Sequence, residues 1–87
     1  MDVPINVKRR YVEIDSHLDE ILENRRVRMI SKDGFVHTVC NSLSLWFLNQ
    51  YLPVNNIDYY DSVESHKKIF IYFFREKILR FWEKNKP

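Results

Sequence analysis

Glycine is almost missing from this 87-residue chain: there is one, Gly34. A phosphate-cradling loop needs several glycines for close backbone approach, so a glycine-rich nucleotide loop is excluded. Cysteine is equally scarce, with Cys40 alone. No intrachain disulfide can form, which excludes a disulfide-stapled secreted scaffold. The three prolines stand at 4, 53 and 87, leaving long stretches without a breaker. No apolar run approaches the roughly 18 residues of a membrane span. Met1-Asp2-Val3-Pro4 carries no basic stretch followed by an apolar one, so no signal peptide is expected. The expected location is a reducing interior, cytoplasmic or nuclear, with no membrane association. Charge of one sign is also lacking: 14 basic and 12 acidic residues leave a net +2. A general nucleic-acid binder shows a clearer basic excess.

Apolar and aromatic side chains are present in quantity. They make up 45% and 15% of the residues, more than one small core readily hides. Surplus apolar surface commonly serves an interface. A protein partner, in a homodimer or a hetero-complex, is therefore expected.

Asp33-Gly34 lies between two runs that read as alternating, Val27-Arg28-Met29 and Phe35 to Val39. Asp-Gly between alternating apolar runs signals a hairpin, since glycine takes the positive φ of a tight turn. Two strands, 26–31 and 35–40, are expected around Ser31 to Gly34. Ile5/Val7 and Val12/Ile14 suggest an extended segment over 5–14. Ser16 with Asp19, followed by Leu18, Ile21 and Leu22, predicts a short helix over 17–24. Leu43, Trp46, Phe47 and Tyr51 predict a second helix over 41–52, ended by Pro53. Ile57 to Tyr59 predicts a short strand. Phe70, Ile71, Phe74, Ile78, Phe81 and Trp82 predict a long helix over 64–84 with a wide apolar stripe. The sum is an α+β fold, a small sheet with flanking helices, in a single domain over 1–87.

His37 and Cys40 raise the question of a metal or a cysteine nucleophile. A strand would point them to opposite faces, and His17 and His66 supply no second ligand pair. No nucleophile elbow surrounds Ser42, Ser44, Ser62 or Ser65. No enzyme activity, metal or cofactor is expected.

Val27-Arg-Met-Ile-Ser-Lys-Asp-Gly34 resembles the opening of elongin C and the Skp-type adaptors of cullin ubiquitin ligases. Ser42-Leu-Ser-Leu-Trp-Phe-Leu-Asn-Gln-Tyr-Leu52 is similar to that family's first helix, Asn56 to Tyr59 to its third strand, and Lys67-Lys-Ile-Phe-Ile-Tyr-Phe73 to the helix after it. The resemblance spans residues 27–82. It implies a BTB/POZ-like core over 27–84 behind an N-terminal extension, 1–26, and an adaptor role with a cullin or a box-containing receptor as partner. It implies that Pro53 to Asn56 match the cullin-contacting loop and Tyr72 the receptor-contacting aromatic.

The expected function is accordingly a non-catalytic protein-interaction module, an adaptor or assembly subunit. The candidate partner-binding residues are Tyr51, Pro53, Asn55, Asn56, Ile57 and Tyr72, with Phe81 and Trp82 as a second patch. Two alternatives stay open: a nucleic-acid-binding domain using Lys8, Arg9, Arg10, Arg25, Arg26 and Arg28, and a small inhibitor of a larger complex.

Overall fold

Ser31 begins a helix where a hairpin turn is expected. Its backbone is extended (φ −140°, ψ 158°) and its hydroxyl accepts a hydrogen bond from the Gly34 amide at 3.0 Å. This is N-cap geometry, which satisfies one of the amides that a helix start leaves unpaired. Asp33 adds a carboxylate to the first turn, where the helix dipole favours it. From there the buried residues come in pairs: Phe35 and Val36, Val39 and Cys40, Leu43 and Ser44, Phe47 and Leu48. His37 and Thr38 between the first two pairs are exposed. Two in, two out is a helical period, and the resulting stripe runs unbroken through residues expected to divide into strand and helix.

The computed structural model describes residues 9–24 and 31–86. Within them lie three helices: α1 (Tyr11–Asn24), α2 (Lys32–Leu48) and α3 (Tyr59–Asn85). They hold 81% of the described residues, which contain no strand. The expected α+β class, the Asp-Gly hairpin and the BTB/POZ-like sheet are thereby overturned. The 35–40 strand is the first half of α2. Of the 57–59 strand, Ile57 and Asp58 form a turn and Tyr59 begins α3. The extended segment is helical from Tyr11 onward. The 26–31 strand falls outside the described residues except for Ser31. With the sheet gone, the elongin C-like architecture implied by the resemblance goes too.

Gly34 has a different use from the one expected. A Cβ on it would lie 2.7 Å from the Ser31 hydroxyl oxygen, so the glycine leaves room for the cap. Gly34→Ala therefore gains helix propensity, about 1 kcal/mol, and disturbs a cap worth about as much. Urea unfolding should place it within about 0.5 kcal/mol of the parent. Ser31→Ala should cost about 1 kcal/mol alone and clearly less in the Gly34→Ala background. A hairpin glycine at positive φ would instead lose more than about 1 kcal/mol on the same change.

α2 and α3 form an antiparallel pair. Phe35 stacks on Phe81 near one end (6.2 Å between ring centres), and Phe47 meets Phe70 edge to face (5.8 Å) and His66 (5.6 Å) toward the other. α1 packs chiefly against α2, and its side chains also reach the later part of α3. Tyr11 stacks on Phe74 at 5.2 Å, and Lys77 reaches Asp15 and Asp19 at 2.8 and 2.7 Å. Partial burial lowers the Lys77 pKa, but the hydrogen bonds and charges of those two carboxylates more than reverse this and hold it above its ordinary value. The ammonium also separates two acidic groups that would repel one turn apart on α1.

Two apolar clusters result. The larger takes Ile14, Leu18 and Leu22 from α1, Phe35 to Phe47 from α2, and Ile69, Phe70, Phe74 and Ile78 from α3. The segment expected as an N-terminal extension thus supplies part of this core. The smaller holds Leu48, Tyr59 and Val63 with Leu52 against them. α1 adds nothing to it. The α2–α3 turn is therefore a two-helix tip projecting past the three-helix body.

Candidate interaction surface

The tip is built by a chain of local hydrogen bonds. α2 unwinds through Tyr51 N–H to Leu48 O and Leu52 N–H to Leu48 O, both 2.9 Å. Pro53 then bars further helix. The Asn56 amide donates to Pro53 O at 3.0 Å and the Tyr59 amide to Asn56 O at 3.0 Å, making two consecutive turns. The Asn56 side-chain oxygen accepts from the Asp58 amide at 2.8 Å, an Asx turn of the kind asparagine favours. Tyr59, buried, ties the loop back by donating its hydroxyl proton to Asn49 Oδ1 at 2.8 Å.

This scaffold leaves large apolar groups in water. Val54 is 72% exposed, Ile57 93% and Tyr60 77%. Asp58, Asp61 and Glu64 stand beside them, and none has an ion-pair partner among the described residues. No lysine or arginine occurs anywhere from 33 to 66; the first cations beyond, Lys67 and Lys68, stand one turn after Glu64 on α3 and make no ion pair with it. Two of the three carboxylates, Asp58 and Asp61, sit at the start of α3, where the dipole favours negative charge.

The expected partner-binding residues separate into three groups. Tyr51, Pro53, Asn55, Asn56 and Ile57 come together at the tip. Of these, Asn56 is half-buried and spends its polar groups on the turns, so it shapes the loop. Tyr51 is fixed by the Arg10 guanidinium, which donates to its hydroxyl at 2.6 Å. Tyr72 is 83% exposed on α3, but about 20 Å along the helix from Tyr59 at 1.5 Å per residue. Phe81 and Trp82 lie further still, half-buried against the main core. Val54, Tyr60 and the three carboxylates were missed. The absence of basic residues over 33–66 is the sequence signal that marks them.

Of the expected nucleic-acid-binding set, Lys8, Arg25, Arg26 and Arg28 lie outside the described residues. Arg9 is exposed. Arg10 is committed internally: its guanidinium pairs with Glu13 and lies over the rings of Trp46, Phe47 and Tyr51 at 5.9, 5.5 and 5.7 Å. Its hydrogen bonds to Tyr51 and then to Glu13 raise its pKa. His17 stacks on Trp46 at 4.0 Å, so that tryptophan face is already occupied.

Cys40 is fully buried while His37 is exposed, which separates the two residues that suggested nucleophile or metal chemistry. Burial pushes the Cys40 thiol up to about 12 from 9.0, with the Lys67 charge opposing. A thiol so placed carries no thiolate near neutral pH. The raised value stabilises the fold below pH 9, and that contribution is lost as pH rises from 9 toward 12, because the unfolded chain gives up the proton first. The stability of wild type relative to Cys40→Val should fall over that window in urea titrations. Among the described residues no group of three or more His, Cys, Asp or Glu is placed to hold a metal ion. No helix among them is long and apolar enough to cross a membrane.

No family model, curated protein or solved structure matches this chain.

Proposed function

We propose that this chain is a non-catalytic protein-interaction module whose contact surface is the α2–α3 tip. The observation that carries the reading is Ile57, 93% exposed on turns held by three backbone and side-chain hydrogen bonds. A flexible loop would lose entropy on binding. A loop already fixed presents its apolar groups at little such cost. Binding residues are commonly carried on loops positioned by a rigid scaffold, and the helix pair below the tip is such a scaffold. Val54 and Tyr60 flank Ile57, and tyrosine is among the residues that dominate interface energetics.

A photo-crosslinking residue at position 57, introduced into the full chain and activated in extract of its source cells, tests this. Adducts to protein are expected at 57 and not at His37, an exposed position on α2. Equal yields at both positions, or none at 57 from a folded chain, would overturn the reading.

A further inference from the structure

The tip has a counterpart on the same molecule. Between α1 and the last turns of α3 lies a groove of about 480 Å³. Half-buried Phe81 supplies most of its apolar surface, with the core residue Leu22 at its floor. Arg80 and Lys84, one turn apart on α3, stand beside them without an ion-pair partner among the described residues. Lys77 and Asp19, at the edge, neutralise each other. Glu23 is the one groove carboxylate outside such a pair. On α3 and its C-cap seven lysines and arginines stand from residue 67 onward against Glu76 and Glu83, while α1 brings Asp19, Glu20 and Glu23 to the same end.

Among the described residues the two surfaces differ in the sign of their unpaired charge, Glu23 apart. One end carries Val54, Ile57 and Tyr60 among three unpaired carboxylates. Toward the other, an apolar groove is edged by two unpaired cations. Phe81 is about 33 Å along α3 from Tyr59, so a chain cannot seat its own tip in its own groove. We infer that the tip of one copy docks into the α1–α3 groove of a second copy, Ile57 and Tyr60 against Leu22 and Phe81, and Asp58, Asp61 and Glu64 toward Arg80 and Lys84. This rests on the tip being a contact surface, and it names the occupant. Complementary charge of this kind sets orientation and suppresses the mismatched tip-to-tip pairing, which would bring six carboxylates together.

Sedimentation velocity of the purified full chain tests it. The mean mass should rise with protein concentration at low salt. It should fall back toward the monomer near 1 M salt, where screening acts within about 3 Å. Ile57→Asp removes the tip and the double change Arg80→Glu, Lys84→Glu removes the groove. Each alone should weaken association at least about tenfold, since each sets an unpaired or like charge against the contact. Circular dichroism confirms that both remain helical. Mixed together they should form a heterodimer, because one still has a groove and the other still has a tip. A wild-type chain that stays monomeric, a mixture that stays monomeric, or a groove variant that associates like wild type would each overturn self-docking. A monomeric chain that still crosslinks through position 57 to a different protein leaves the interaction reading standing. Absence of both removes the two together.

Discussion

Phe47→Ala is expected to cost about 3–5 kcal/mol, most of the stability of a chain this small. At roughly 0.05–0.15 kcal/mol per residue, the whole fold holds on the order of 4–13 kcal/mol. Phe47 is fully buried near the end of α2, with ring contacts to Trp46, Tyr51, His66 and Phe70. It also lies under the Arg10 guanidinium at 5.5 Å. Its removal empties the place where α1's start, the end of α2 and the middle of α3 converge. The neighbours are themselves large rings and cannot easily close the gap, which places the cost at the upper end of the range. Phe47→Leu keeps much of the volume and should remain folded, losing under about 1.5 kcal/mol. Urea unfolding of the two variants side by side checks this. Equal, small losses would mean that the ring cluster does not hold the body together.

Leu18→Ala should cost about 2–5 kcal/mol, with the thermal midpoint falling by roughly 10 °C or more. Leu18 is fully exposed to the core and not to water, between Ile14 and Leu22 on the same helical face. α1 is too short to be stable alone in water, so its helicity depends on this packing. Were residues 1–26 an appended extension, as the family resemblance implies, truncating Leu18 would leave the rest of the chain unchanged. Because α1 lies on the same core as α2 and α3, the loss should appear in a single cooperative transition. Thermal unfolding followed at 222 nm, together with tryptophan fluorescence of Trp46 against His17, reports both parts at once.

The helices that were legible are those whose apolar spacing left one reading. The long stripe of α3 is expected over 64–84 and observed over Tyr59–Asn85. The second half of α2 and the end of α1 are likewise anticipated. The errors share a cause. Phe35-Val36-His37-Thr38-Val39-Cys40 reads as alternating if Val36 is set aside, and as two-in, two-out if it is not. The Asp-Gly pair tips the choice toward a hairpin, because it carries a specific turn chemistry. The same four residues, Ser31 to Gly34, serve equally as an N-cap and first turn, and the continuing stripe through Leu43 and Phe47 decides for the helix. Val12 and Ile14 mislead in the same way: Ile14 belongs with Leu18 and Leu22, while Val12 is 80% exposed.

The candidate site was legible in position and not in form. Tyr51, Pro53, Asn55 and Ile57, expected in a helix, a loop and a short strand, all lie in the connection between α2 and α3. Ile57, however, is anticipated in a short strand and lies instead on a turn, the most exposed large apolar group described. Exposure follows from the Asx turn at Asn56, a three-dimensional consequence that hydrophobic pattern does not encode. Phe81 and Trp82, anticipated as a surface patch, pack on the core because α1 and α2 are there to meet them.

The most direct test places a photo-crosslinking residue at Val54 and compares the chain with Ile57 intact against Ile57→Asp. Ile57 packs on nothing in the core, so the melting curve and helical signal should be unchanged. Adduct formation should fall to about a tenth or less, as a charge replaces the central apolar group of the contact. Undiminished adducts from the Asp variant would contradict the assignment of the α2–α3 tip as the surface through which this protein acts.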